Sequence, residues 1–313
     1  MTTGPQDSDL EQLRPELMAH CYRMLGSVHD AEEQVQETLL RAWRARDSYD
    51  AERASLRTWV YRIATNTCLT SMSGRARRPL PSGLVAASDD PLAPLTPAVE
   101  VQWLQPIPDS KVALGADPAA RVVGRDSIRL AFVAALQLLP ARQRAVLILR
   151  DVLAFSAAEV ADMIDTSVPA VNSALQRARR TLDSQAPRLE TTTPTPAELR
   201  VVDAYLAAFE RADVEGLTKL LADQAVLEMP PVPLWYRGRA HYAAFMQRVY
   251  SLRGTHWKVE RITANGQPAF VAYALLEGHY RLHTLQVLTV ADGQISRNVV
   301  FQDPAVFAAF GLT

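Results

Sequence analysis

The chain has little that would place it in or beyond a membrane. No apolar run approaches the roughly 18 residues that a span requires, and the polar, acidic N-terminus holds no signal-peptide core, so a cytoplasmic location and no membrane partner are expected. Cysteine is scarce: Cys21 and Cys68 are the only two in 313 residues, and both sit in helical patterns, which excludes a disulfide framework and suggests reduced, buried thiols. Net charge is nearly absent as well. Lys plus Arg number 33 and Asp plus Glu 34, a formal balance of -1 that does not by itself mark a nucleic-acid partner. His279 and His283 have metal-compatible spacing but no third ligand, and no cofactor is expected.

The 48% hydrophobic and 21% charged content fits a soluble globular protein, and the length allows two or three domains. The charge is unevenly distributed. Ser55 to Arg78 carries Arg57, Arg62, Arg75, Arg77 and Arg78 and no acid, whereas Pro81 to Ala120 carries Asp89, Asp90, Glu100, Asp109 and Asp117 against Lys111.

Residues 10–78 read as a helical bundle. Leu13, Leu17, Cys21 and Leu25 share one face, then Ala31, Val35, Leu39, Leu40 and Trp43, then Leu56, Trp59, Val60, Ile63, Ala64 and Leu69. From 79 to 120 the periodicity stops, and eight of the 20 prolines fall between Pro79 and Pro118; this predicts an extended acidic linker. Trp103 and Leu104 within it would be costly to leave in water and are expected to dock. Helical pattern returns over 121–189, with Ile128, Phe132, Ala135 and Leu139 on one face. A second short linker, Thr191 to Pro196, precedes a different texture over 197–313. There, helices near 198–210, 214–221 and 241–250 alternate with strand-like runs at 225–229, 257–262, 269–276, 279–290 and 295–301. Asn265-Gly266, Glu277-Gly278 and Asp292-Gly293 are hairpin signals. The fold class expected is multidomain: two all-α domains and a C-terminal α+β domain with helices on one side of a curved sheet.

Ser156 to Leu182 carries the sharpest motif. Ser156 and Glu159 form a capping box, Asp165-Thr166-Ser167 a polar turn, and Val171, Leu175, Ala178 and Leu182 the apolar stripe of a second helix. Asn172, Ser173, Gln176, Arg177, Arg179 and Arg180 point elsewhere, and no acid occurs from Thr166 to Leu182. That is the layout of a helix-turn-helix DNA reader, although an ordinary helical hairpin with a solvated basic face has the same pattern.

Taken together, residues 10 to about 187 resemble an extracytoplasmic-function sigma factor, a promoter-specificity subunit of bacterial RNA polymerase. Three ordered stretches carry the resemblance: Asp30-Ala-Glu-Glu-Gln-Val-Gln-Glu-Thr, Leu56-Arg-Thr-Trp-Val-Tyr-Arg-Ile-Ala-Thr-Asn-Thr-Cys, and Leu139-Pro-Ala-Arg-Gln-Arg-Ala-Val through Arg177-Ala-Arg. The resemblance implies core-polymerase binding by Asp30, Glu32, Glu33, Gln36 and Glu37, with Gln34 standing where an apolar residue is expected. It implies minus-ten recognition and melting by Tyr49 and Asn66, with Trp59 either at the duplex fork or in the core, and phosphate contacts from Arg57, Arg62, Arg75, Arg77 and Arg78. It implies minus-thirty-five recognition by Asn172, Ser173, Gln176 and Arg177, with Arg142, Arg179 and Arg180 on phosphates. The acidic linker would thread the RNA-exit path.

The remainder resembles the SnoaL-like, NTF2-type cone, and Trp103-Leu-Gln-Pro fits a linker motif of sigma factors that carry such a tail. Tyr205, Met229, Trp235, Phe245, Trp257, Tyr273 and His283 are candidate pocket residues, with Phe209, Tyr236 and Phe301 nearby in pattern. Asp203, Glu228, His241 and His283 are candidate acid–base groups. An aromatic set of this kind also reads simply as core. The expected partners are core RNA polymerase, promoter DNA, the sigma core for the tail and a small-molecule ligand of the tail. Enzymatic turnover is not expected. A free-standing helix-turn-helix repressor and a SnoaL-like isomerase or hydrolase fused to a DNA-binding module are the alternatives. A repressor needs neither the Asp30 helix nor the Tyr49 to Asn66 segment, and an enzyme needs a convergent polar set in the tail.

Overall fold

The structure, a computed structural model, describes residues 5–112, 123–185 and 195–312. The end of the acidic linker, Asp117 included, and most of the second linker at Thr191 lie outside the described residues. The chain divides into two compact units: 1–78 with 109–189, and 79–108 with 190–313. No helix among the described residues is long and apolar enough to cross a membrane.

The first unit is all helix. α1 (Asp7–Gln12), α2 (Arg14–Leu25), α3 (Val28–Arg44) and α4 (Leu56–Met72) form its first half. Gly26, at φ 68°, supplies the left-handed residue that ends α2, and Ser27 then caps α3 by accepting from the Asp30 amide. Leu17, Cys21, Val28, Val35, Val60 and Ala64 fill the core. Leu40 and Trp43, read as core from spacing, are 39% and 46% exposed. Leu39 turns inward and takes the core position, so the apolar stripe of α3 is wider than the bundle it packs against.

The second half comprises α5 (Leu130–Leu136), α6 (Ala141–Leu147), α7 (Ala157–Met163) and α8 (Val168–Gln185). Residues 148–152 continue α6 as a wider turn. The capping box at Ser156 and Glu159 is formed, and Asp165 turns the chain at φ 48°. Ser167 Oγ accepts from the Ala170 amide at 3.3 Å, and Val171, Leu175 and Ala178 are buried.

The second unit is a curved sheet of six strands in the order β2-β1-β6-β5-β4-β3: β1 (Leu221–Glu228), β2 (Trp235–Arg237), β3 (Trp257–Ala264), β4 (Gln267–Leu276), β5 (His279–Ala291) and β6 (Gln294–Phe301). β1 and β6 run parallel; the other neighbours are antiparallel. Each of the three hairpin turns has positive φ at both central residues, which Asn-Gly, Glu-Gly and Asp-Gly pairs supply with little strain at the second position. Register shifts at Ala272/Tyr273 and Thr289/Val290 bend the sheet. The helices α9 (Pro196–Glu210), α10 (Val214–Leu220) and α11 (Arg239–Arg253) cover it, and α12 (Pro304–Ala309) closes the described chain. Tyr205, Phe209, Leu227, Phe270, Leu288 and Ile295 form the shared core.

The linker is extended and docked on this unit. Trp235 Nε1 donates to Val85 O at 2.9 Å, Tyr236 Oη to Asp90 O at 3.1 Å, and Arg248 Nη1 to the Pro91 and Ala93 carbonyls. The Ala98 amide donates to Pro231 O, and Ile107 exchanges bonds with Asn265, whose Oδ1 accepts the Ile107 amide at 3.0 Å. Trp103, Leu104 and Ile107 are buried, and Trp103 Nε1 donates to Ala98 O. Proline removes the donors that a helix would use, so the segment satisfies its carbonyls with side chains of the sheet and α11. Leu104→Ala is expected to cost the second unit ~2–5 kcal/mol, the range for a fully buried leucine, in denaturant unfolding followed by tryptophan fluorescence.

Candidate DNA-reading surfaces and the C-terminal cavity

Helix α8 presents Asn172, Ser173, Gln176, Arg177, Arg179 and Arg180 to solvent along one side. Arg179 is held within the unit: Nε and Nη2 donate to the Asp151 carboxylate at 2.9 and 2.7 Å. Its guanidinium anchors the reader helix to the turn before α7, so it is not a ready phosphate contact.

The melting segment is arranged differently. Tyr49 and Trp59 are half-buried with ring centroids 5.3 Å apart, a small aromatic platform at the N-terminal end of α4. Further along α4, polar side chains face α7 of the second half. Thr58 Oγ1 donates to Glu159 at 3.3 Å, Arg62 pairs with Asp162 and Asp165 at 3.2 Å each, and Asn66 Nδ2 donates to Met163 O at 2.9 Å. Arg57 lies between the Tyr61 and Phe155 rings, 4.8 Å from each centroid, and pairs with Glu16. Arg75 and Arg78 both reach Asp30, at 3.1 and 2.7 Å; Arg77 is exposed. Arg57, Arg62, Arg75 and Arg78, read from the sequence as phosphate contacts, therefore have carboxylate partners. Basic charge with no acid nearby in sequence has found acid in space.

Asp30, expected to face a partner, is thus occupied internally, and Glu32 pairs with Lys111. Glu33, Gln36 and Glu37 do line an open shallow cleft with Leu40, Arg41, Thr67 and Thr70. Gln34 is buried, and its backbone carbonyl accepts from Thr38 Oγ1.

Two buried guanidiniums join the halves of the unit, and neither was legible in the sequence. Arg23 donates to Ser127 Oγ at 2.8 Å and to the Ser127 and Gly124 carbonyls. Arg144 donates to Met24 O, to Gln137 Oε1 at 2.7 Å and to the Gln137 and Leu139 carbonyls. Burial lowers the pKa of each to about 10.

The second unit encloses a cavity of about 300 Å³. Met229, Phe245 and His283 line it as expected. Tyr205 sits behind the wall, Trp257 packs against His283 with centroids 5.3 Å apart and ring planes tilted by 59°, and Trp235 is engaged by the linker. Tyr273 does not belong to the pocket. It lies on the outer side of β4 against Lys258 and Glu260, because the unbroken alternation of β4 turns Phe270, Ala272 and Ala274 into the core and Tyr273 away from it. Asp203 pairs with Arg261, His241 bonds the Arg237 carbonyl, and the buried Glu228 pairs with Arg297 at 2.9 Å. The candidate acid–base groups therefore do not converge, and the ionisable lining groups are His283 and Arg253. Among the described residues no cluster of three His, Cys, Asp or Glu suits a metal ion. The polar lining that sequence reading missed includes Arg253, Gln302, Thr284, Gln286 and Asn298; alternation along β5 and β6 places the last three inward, but nothing in the sequence distinguishes an inward amide from a surface one.

Family models match in three places: Sigma-70 region 2 over residues 10–78, Sigma-70 region 4 over 129–182, and a SnoaL-like domain over 202–298. The ECF RNA polymerase sigma factor SigG of Mycobacterium tuberculosis (strain CDC 1551 / Oshkosh) is 47% identical over 99% of this chain and 84% of its own length. The chain belongs to the extracytoplasmic-function sigma factors. The family member SigJ of Mycobacterium tuberculosis (strain ATCC 25618 / H37Rv) is 33% identical over 68% of this chain and 61% of its own length. The crystal structure of Mycobacterium tuberculosis SigJ covers 97% of this chain and 99% of its own with a TM-score of 0.67 at 24% identity, a likeness of fold. Two sigma helical regions followed by an NTF2-like cone are thus the architecture of this sigma factor, and the free-standing repressor and fused-enzyme alternatives are not favoured.

Two measurements follow. Asp162→Lys with Asp165→Lys removes the partners of Arg62 and should raise binding of forked minus-ten DNA by the isolated protein severalfold, read by fluorescence anisotropy; each exposed pair contributes at most ~1 kcal/mol. Burial, aided by Arg253, lowers the His283 pKa from 6.5 to about 4. The unfolded chain then holds the extra proton between those values, so this contribution is complete above pH ~6.5 and is lost as pH falls toward 4. Melting temperature of the second unit should fall across that window in the native protein and fall less in His283→Gln.

Proposed function

We propose that this sigma factor directs RNA polymerase to promoters through two DNA-reading surfaces of its first unit, in the cytoplasm where polymerase and DNA reside, and that the C-terminal unit modulates that activity through the linker. The observation that carries the reading is the exposed side of α8 from Val168 to Leu182, a stretch that holds no acid. Arg177 suits a guanine edge bidentately, Asn172 or Gln176 an adenine edge, Ser173 either, and Arg180 and Arg142 the phosphates.

Core polymerase would meet α3 at Glu33, Gln36 and Glu37 beside Leu40 and Trp43, a mixed acidic and apolar face that complements a basic helical surface. At the minus-ten element the Tyr49–Trp59 platform offers stacking worth ~1–3 kcal/mol to an unpaired base, and the Asn66 amide offers hydrogen bonds to its edge. Asn66 and Arg62 reach DNA only after releasing Met163, Asp162 and Asp165, so promoter capture requires α4 and α7 to part. These contacts are hydrogen bonds and exposed ion pairs, each of modest strength, which polymerase docking can replace. The linker can follow a path on polymerase only when free of the second unit, and this is the basis for the tail's control.

Run-off transcription with core polymerase tests the proposal. The full chain should initiate on at least one genomic promoter, and a chain ending at Glu190 should show altered output. Arg177→Ala should lose ~1–3 kcal/mol of discrimination at one base pair of the upstream element. Uniform weakening on all sequences would instead make Arg177 a phosphate contact, and failure to initiate on any promoter would overturn the reading.

A further inference from the structure

The inner end of the C-terminal cavity is a chain of neutral, buried hydrogen-bonding groups. Tyr205 Oη and Tyr242 Oη lie 2.5 Å apart, and Asn298 Nδ2 donates to Tyr242 at 2.8 Å and to Gln286 Oε1 at 2.7 Å. Gln286 Nε2 in turn donates to Thr284 Oγ1 at 3.0 Å, which leaves the threonine a proton to donate. One atom in this chain has no partner: Asn298 Oδ1, on a side chain only 1% exposed that lines the cavity. A buried amide oxygen without a donor is destabilising and is the exception in a folded protein. The rest of the lining is mostly apolar, with Phe209, Leu227, Phe245 and Val300 among it, and carries His283, Arg253 and Gln302 as its other polar groups.

The opposite wall is the chain's own linker. Leu95 and Pro97 line the cavity, next to Pro231, whose carbonyl accepts from the Ala98 amide, and the Arg248 bonds to Pro91 and Ala93 pin the approach. We propose that the cavity binds a small uncharged molecule with an apolar body and one hydroxyl group, over which Leu95 and Pro97 of the linker close. The hydroxyl donates to Asn298 Oδ1 and accepts from Thr284. A carboxylate is disfavoured, because its oxygens would face an acceptor rather than a donor, and Arg253 stands at the exposed rim. Because the ligand touches the linker wall, it binds the docked linker more tightly than the released one, and by reciprocity its occupancy holds the linker down. This transcriptional consequence rests on the regulatory reading above; the binding itself does not.

The probe is 2-naphthol, titrated into the full chain by calorimetry without polymerase. It should bind, and 2-methoxynaphthalene, which accepts but cannot donate, should bind about tenfold more weakly, as should naphthalene and 2-naphthoate. Leu95→Asp should weaken 2-naphthol about tenfold, whereas Leu92→Asp, an exposed linker position that does not line the cavity, should leave it unchanged. Thr284→Val, with cooperative unfolding checked, should lose the bond the threonine donates and bind severalfold more weakly. Equal binding of 2-naphthol and its methyl ether would overturn the hydroxyl assignment, an unaffected Leu95→Asp the linker wall, and no binding by any naphthalene the site. Binding as expected with run-off transcription unmoved by 2-naphthol would sink the regulatory reading while leaving the site standing.

Discussion

The first unit depends on two guanidinium groups buried without carboxylates. Arg23 and Arg144 span its two halves by donating to backbone carbonyls, Ser127 and Gln137, and Arg144 Nε finds no acceptor at all. A buried cation satisfied by dipoles alone is a poor source of net stability, because desolvation offsets most of what the hydrogen bonds return. It is a strong source of geometry, since five planar donors accept few arrangements. The halves are thus held in one relation by contacts that water could replace. A seam of leucines would have been harder to separate and less particular about its register.

The same logic runs along α4. Its polar side is used twice, once against α7 within the unit and, on the reading proposed, once against DNA. Arg62 and Asn66 exchange one set of acceptors for another: carboxylates and a carbonyl now, phosphates and a base edge on the promoter. On that reading the acidic residues of α7 and its turn stand where nucleic acid would, and the closed unit competes with its own ligand with a strength set by exposed ion pairs that salt weakens.

Much of this was legible beforehand and some was not, for identifiable reasons. The capping box at Ser156, the positive-φ pairs at 265, 277 and 292, and the two-residue alternation of β3 to β6 are local signals, and each appears where its chemistry requires. Trp103 and Leu104 stood out because apolar bulk in a proline-rich run needs a home. What sequence could not show was pairing at a distance. The basic run from Ser55 to Arg78 looked free because its acids lie at positions 16, 30, 162 and 165. Tyr273 looked like pocket because it is aromatic, whereas the alternation of β4 gives the core face to Phe270, Ala272 and Ala274. Asn298 is an ordinary surface residue type until the strand places it under two tyrosines.

The docked linker also stores length. The segment 79–108 leaves the first helical half at Arg78 and returns to the second at Asp109, and while it is bound its ends are fixed by where the sheet and α11 hold them. Its roughly 30 residues hold a contour of about 100 Å when drawn out. A pair of DNA readers joined through such a strap has two tethers in one: a short one that suits packed halves, and a long one that spans separated recognition elements. On the reading proposed, fastening or freeing the strap would set the greatest promoter spacing the protein can bridge, a geometric form of control that needs no change at either reading surface.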